Sequence, residues 1–140
     1  MSGELPAPAP PVNLETARFW AATAEGRLEL PRCDSCGNLV WYPRGMCPWC
    51  SSTALTWEVL SGRGTVYSFT IIRKAQGRWR DAAPYVLAYV ELEEGPERPR
   101  LLTNVVGCDP EEVRIDLPVE VVFADTGEGS ALPRFRPRGS

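Results

Sequence analysis

Four of the chain's five cysteines lie in one stretch, "CDSCGNLVWYPRGMCPWC", as two C-x-x-C pairs: Cys33 with Cys36 and Cys47 with Cys50. Each pair can turn locally, and the intervening "GNLVWYPRGM" can form a hairpin that brings four thiolates to the corners of a tetrahedron suited to zinc. The spacer is shorter than the ~15–20 residues of the commonest paired arrangement, so a tight ribbon is expected and not a treble-clef finger. If all four cysteines ligate, no position remains for water or substrate, and the ion supports the fold without hydrolysing anything. Rubredoxin-type iron is the rival, since four thiolates also hold iron and pass an electron. "CDSCGN" suits either metal. "CPWCSS" lacks the glycine after its last cysteine that would leave room for backbone donors to sulfur, which disfavours iron. The expectation is one structural Zn2+ per chain.

The remaining inventory is narrow. Histidine is absent, which removes Ser-His-Asp and Cys-His nucleophiles, imidazole ligands and any histidine base. The lone lysine, Lys74, would have to carry any Schiff-base chemistry, and a solvated amine is its simpler role. Cys108 reads as a small buried residue or an idle thiol, because no activating base accompanies it. No catalytic residue is expected.

Charge bears on partners. Fifteen bases against eighteen acids give −3, and four thiolates on one divalent ion take that to −5, so the whole molecule repels polyanions. The charge is segregated, however. Gly62 to Arg80 carries five bases (Arg63, Arg73, Lys74, Arg78, Arg80) and no acid, whereas Asp109 to Glu128 is mostly acidic. Solvated loops and strand ends are the plain account. The functional one is a phosphate-attracting patch with Trp79 as an adenine platform. Single-stranded nucleic acid would use the same features, and the acidic total argues against it.

These residues need a scaffold. At 140 residues the chain fits one domain or two small ones sharing a surface. "MSGELPAPAPPVN" lacks the basic and apolar regions of a signal peptide, and no apolar run approaches the ~18 residues of a membrane span. A cytoplasmic protein is expected, where paired cysteines point to metal before disulfide. "PAPAPP" reads as an extended tether that packs no core. Asn13 as N-cap, Glu15 in the first turn and Gly26 at the end predict a helix over about residues 14–25, with Phe19 and Trp20 docking on the ribbon or on another chain.

Beyond the cysteines the period becomes two. "GTVYSFTII" places Tyr67, Phe69 and Ile71 on one face, "YVLAYVEL" aligns Val86, Ala88, Val90 and Leu92, and "RLLTNVV", "VEVVFAD" and "ALPRFRP" follow. The prolines of the last suit an edge or closing strand. "DPEEV", with Asp109 as cap and Pro110 behind it, marks a short helical turn between the third and fourth strands. Five strands so interrupted match an OB-type barrel. The expected fold is mainly β: residues 1–13 a linker or tail, 14–26 a helix, 27–58 a zinc ribbon and 59–140 a five-stranded OB-fold barrel with a C-terminal tail.

Taken in order, the helix, the cysteine stretch, "GRGTVYSFTII", "YVLAYVELEEG", "LLTNVVG", "VEVVF" and "LPRFRP" resemble the OB-fold acyl-CoA-associated family, in which a rubredoxin-like zinc ribbon precedes an OB barrel. The resemblance covers nearly all of the chain after the tether. The chain also resembles the C-terminal domain of an actinobacterial steroid enoyl-CoA hydratase subunit that partners a thiolase-like aldolase in cholesterol side-chain breakdown. The resemblance implies a non-catalytic subunit of an acyl-CoA lyase, with two copies of each chain in the complex, and "PAPAPP" as the junction to a hydratase domain. Only the four cysteines carry over, as metal ligands. Arg73, Lys74, Arg78, Trp79, Arg80, Arg134 and Arg136 are expected contacts to a CoA phosphate or to the partner. Trp41, Tyr42, Trp49 and Trp79 are candidate interface anchors. A nucleic-acid-binding module, an electron carrier and a free-standing acyl-CoA binder are the alternatives.

Overall fold

Asn13 and Thr16 open the first ordered element by capping each other. The Thr16 N–H donates to Asn13 Oδ1 at 3.0 Å and the Asn13 N–H to Thr16 Oγ1 at 3.1 Å. This exchange uses residues 13–16 as a turn, so helix α1 (Ala17–Ala24) begins three residues later than its sequence pattern suggests. Gly26, at φ +80°, closes it. Glu15 does not stay at the helix end: its carboxylate accepts from the Gly45 N–H across the chain. The computed structural model describes residues 5–139.

Strands β1 (Glu29–Cys33) and β2 (Leu55–Val59) form an antiparallel ribbon in register from Glu29 opposite Val59 to Cys33 opposite Leu55. Five more strands follow: β3 (Arg63–Ile72), β4 (Tyr85–Leu92), β5 (Arg100–Thr103), β6 (Pro118–Asp125) and β7 (Ala131–Pro137). They are ordered β5-β4-β3-β6-β7, every neighbour antiparallel. The sheet curls until its two edges meet at a parallel bridge between Val105 and Phe135. There the Phe135 N–H reaches the Asn104 carbonyl at 3.0 Å and the Val106 N–H the Phe135 carbonyl at 2.7 Å. This is OB-type connectivity, with β7 in the closing position its prolines allow. The predicted turn is a short 3-10 helix, Pro110–Glu112, capped by Asp109 and Glu112 reciprocally.

One strand departs from its pattern. Val66 and Ser68 are paired to consecutive residues of β4, so Tyr67 is bulged out of the ladder. Gly64 and Val66 point inward before the bulge, Phe69 and Ile71 pack against the core after it, and Tyr67 is turned into solvent. A bulge inserts one residue and reverses parity, which alternation alone does not reveal.

Helix, ribbon and barrel share one core. Phe19 and Trp20 of α1, Leu28, Leu30 and Leu39 of the ribbon, and Val66, Val90, Leu101, Val119 and Phe135 of the barrel belong to a single buried cluster. Phe19 is fully buried, contributing roughly 1.5–3 kcal/mol, so the short helix is held by this chain's own ribbon and barrel. Its rim is ionic. Glu29, nearly buried, takes Arg18 at 3.1 Å and Arg27 at 2.9 Å. Residues 5 to 13 form no regular element, yet they are not a free tether: the carbonyls of Leu5 and Pro6 accept from the Arg134 guanidinium on β7. Among the described residues, no helix is long and apolar enough to cross a membrane.

Candidate metal centre

The two knuckles repeat one backbone design. In the first, the Cys33 N–H donates to the Asn38 carbonyl and the Gly37 N–H to the Cys33 carbonyl, both at 2.9 Å. In the second, the Cys47 N–H donates to the Ser52 carbonyl and the Ser51 N–H to the Cys47 carbonyl, again at 2.9 Å. Each tight turn needs a left-handed residue after its second cysteine: Gly37 at φ +81° in one, Ser51 at φ +66° in the other. The missing glycine therefore does not deprive the second knuckle of its donors. The Ser52 N–H reaches the Cys50 sulfur as the Asn38 N–H reaches that of Cys36. The glycine position does not discriminate between the two metals here.

The knuckles face each other. Sγ of Cys33 lies 3.5 Å from that of Cys50, Sγ of Cys36 lies 3.6 Å from that of Cys47, and all four are within 4.8 Å of one another. A tetrahedron with metal–sulfur bonds of about 2.3 Å has sulfur–sulfur edges of about 3.8 Å, so the set fits one ion with small adjustment. Cys33 and Cys47 are buried beside Val40 and Leu55, while Cys36 and Cys50 face outward. Further N–H donors reach the sulfurs, from Cys36 to Cys33 at 3.5 Å and from Trp49 to Cys47 at 3.4 Å. They stabilise thiolate charge.

Left to the protein's own groups, the thiols cannot all ionise. The Cys36 N–H, followed by the Ser35 N–H and the neighbouring thiols, outweighs burial and brings Cys33 down to about 6. Cys50 goes the other way: the Ser52 N–H favours its thiolate, but Cys33 and burial prevail and push it up to about 12. A divalent cation supplies the charge that lets four thiolates coexist. With four cysteine donors grouped together and, among the described residues, no further ligand in the group, the site is a closed, structural zinc position.

The other predicted contacts do not converge. Arg73 pairs with Glu111 at 2.8 Å. Lys74, Arg78 and Arg80 are exposed on the β3–β4 connection, where Trp79 is half-buried with its ring 5.1 Å from that of Tyr85. Arg136 pairs with Glu120 at 2.9 Å. Arg134 shares its face of β7 but is buried beneath Leu5 and Pro6. Of the aromatic candidates, Trp41 and Tyr42 join Phe19 in a ring cluster, and the Trp20 Nε1–H donates to the Tyr42 hydroxyl at 3.2 Å. Trp49 remains 59% exposed. Cys108 is half-buried against the core, its thiol pushed up by burial and then by Glu112 and Asp109, as befits an inert residue. Sequence reasoning missed Arg32, whose guanidinium takes Glu58 in a fork at 3.0 and 2.7 Å and donates to the carbonyls of Gly37 and Gly95 at 2.8 and 3.0 Å. It ties the first knuckle to the barrel, and a single arginine within a strand carries no local signal of that role.

Comparison with known proteins finds two matching family models. Residues 20–56 match the family described as "ChsH2, rubredoxin-like zinc ribbon domain", and residues 57–124 match "ChsH2, C-terminal OB-fold domain". A DUF35 domain-containing scaffold protein of Methanothermobacter thermautotrophicus is 34% identical over 132 residues, covering 89% of this chain and 97% of that protein. A probable enoyl-CoA hydratase alpha subunit of Thermomonospora curvata is 36% identical over 132 residues, covering 93% of this chain but only 40% of that subunit. Among solved structures, a chain of the Ltp2-ChsH2(DUF35) aldolase superposes with a TM-score of 0.80 at 33% identity, over 92% of this chain and 98% of that one. With its metal knuckles, its ribbon and its barrel all accounted for, the chain belongs to the ChsH2 (DUF35) family of zinc-ribbon and OB-fold proteins.

Proposed function

We propose that this chain is a non-catalytic accessory subunit that binds and supports a thiolase-fold acyl-CoA enzyme. The observation that carries this reading is the match, over nearly the whole of both chains, to the ChsH2 component of an aldolase. The likeness to an archaeal scaffold protein of almost the same length supports it. So does the closed cysteine site, whose donor set holds shape and leaves no position for a reacting molecule.

The finer reading is a steroid side-chain-cleaving aldolase, a retro-aldol C–C lyase, assembled from two copies of each chain in the cytoplasm. Lys74, Arg78 and Arg80 on the β3–β4 connection, with Trp79 between them, would meet a CoA phosphate or a partner carboxylate. Arg73 and Arg136 would do so by exchanging their present acids. Arg134 would instead hold the N-terminal segment in place for that contact.

Purification of the tagged chain from its native cells tests this, with partners identified by mass spectrometry and metal assayed in the same sample. A thiolase-fold partner, one zinc per chain and cleavage of a steroid acyl-CoA aldol only by the complex are expected. Recovery of the chain alone, with nucleic acid or iron, overturns the reading.

A further inference from the structure

Strand β4 is apolar on both faces. Val86, Ala88, Val90 and Leu92 fill the barrel, while Tyr85, Leu87 and Tyr89 line its outside, leaving Glu91 as the strand's one charged residue. An antiparallel strand with one face in water alternates apolar and polar residues, whereas a strand covered on both faces does not.

The outer apolar face continues across its neighbours. Tyr89 sits opposite Leu102 of β5 and beside Ser68 of β3. The bulge that ejects Tyr67 places its ring 3.8 Å below the Arg100 guanidinium, which Glu91 holds at 3.0 Å. Two grooves join this face to the ribbon. One, of about 220 Å³, runs from Tyr42 and Trp41 to Leu102. The other, of about 440 Å³, lies between Trp41 and Trp49 on one side and Glu91, Arg98 and Arg100 on the other. Trp41 is the wall common to both. Tyr42, Trp49, Tyr67, Tyr89 and Leu102 are each 39–59% exposed.

We infer that this two-module face, made by the ribbon tip and the outside of β4 and β5, is the surface on which the thiolase-fold partner docks. The inference rests on the accessory-subunit reading and adds its location. Four of the five are aromatic, with side chains of ~150–250 Å² each, and Leu102 adds to them, so together they leave on the order of 500 Å² of side-chain surface exposed, most of the core of a standard interface of ~800 Å² per partner. That is more than a small ligand covers and less than an obligate homodimer requires. The local charge is balanced, Arg98 and Arg100 against Glu91 and Glu97, which suits a mixed protein rim and not a polyanion. The exposed bases Lys74, Arg78 and Arg80 lie on the connection that enters β4 at Tyr85, the opposite end from Glu91. The grooves flanking Trp41 would receive partner side chains, with Trp49 as a projecting anchor.

The test uses the full chain and the thiolase-fold enzyme recovered with it, measuring affinity for wild type, Trp49→Ala, Leu102→Arg and, as control, Val59→Arg at the ribbon end away from the knuckles. Zinc content and far-UV circular dichroism check folding. Trp49→Ala and Leu102→Arg should each weaken binding tenfold or more, with Val59→Arg within twofold of wild type. Should wild type hold the enzyme and both face variants hold it equally well, the location is wrong while the accessory reading stands. If wild type recovers no thiolase-fold enzyme, both fall. An isolated chain that is a dimer in light scattering, and that Leu102→Arg converts to monomer, assigns the face to a second copy and overturns the proposal.

Discussion

Ser51 occupies in the second cysteine knuckle the left-handed backbone position that Gly37 occupies in the first. A side chain in that conformation costs about 1 kcal/mol, which glycine avoids at some expense in unfolded-state freedom. Ser51→Gly should therefore raise the stability of the zinc-loaded protein by about 0.5–1 kcal/mol. A Cβ at Gly37 would meet nothing within 4 Å, so Gly37→Ala should cost only the conformational strain, about 1 kcal/mol. Urea midpoints of the two variants at fixed zinc would check the pair, and a destabilised Ser51→Gly would contradict the equivalence of the knuckles.

Gly64 is required for a different reason. A Cβ there would lie 2.4 Å from the Glu91 carbonyl oxygen, a backbone atom of the paired strand. Neither strand can yield without breaking the ladder from Gly64 to Leu92. Gly64→Ala is expected to lose about 2–4 kcal/mol in chemical denaturation. An effect within experimental error of wild type would mean that β3 and β4 do not approach as described.

Arg32 offers a test of the ribbon-to-barrel joint. Its four hydrogen bonds, two to Glu58 and one each to the Gly37 and Gly95 carbonyls, need the planar fork. Arg32→Lys keeps the charge but not the geometry and should cost about 1–2 kcal/mol. Hydrogen exchange at residues 37–40 and 93–96 should quicken in that variant.

Glu29 makes stability depend on pH. Burial alone would raise its carboxyl, but the hydrogen bonds from Arg27 and Arg18 prevail and hold it below the ordinary 4.5. A lowered folded-state value means that the stabilisation is complete above the unfolded value and disappears as pH falls through the folded one. The stability difference between wild type and Glu29→Gln should be constant from pH 7 to about 5 and shrink below about 4.5. A difference that grows on acidification would contradict the ion-pair account.

Metal removal should reach beyond the ribbon. Cysteine ligands bind deprotonated, so a zinc chelator and mild acid should act together. Because Phe19, Leu28, Leu30 and Leu39 share a core with Val66 and Phe135, chelation should abolish near-ultraviolet dichroism from the barrel as well as from the ribbon. Cys47→Ser should behave like chelated wild type. Two separate thermal transitions would indicate independent modules.

The cysteine spacing and the period-two strands made the ribbon and the barrel legible, because both signals are local. Gly26 and the Asp109–Pro110 cap were legible for the same reason. Position 67 was not, since a bulge changes parity without changing composition. Nor was Arg134, which reads as a surface base until the carbonyls of residues more than 120 positions away fold over it. "YVLAYVEL" did carry a readable signal, being apolar at both parities. Alternation at the even positions alone uses half of it.

The common core of ribbon and barrel has a consequence for how the protein fares in a cell. Loss of the ion is expected to spread beyond one tip, because the strand that carries Cys33 also carries Leu30, which packs in the core on which β3 and β7 rest. Zinc supply then sets how much of the whole chain survives surveillance by proteases. Scarcity of the metal would thin the protein's numbers and leave each surviving copy fully shaped.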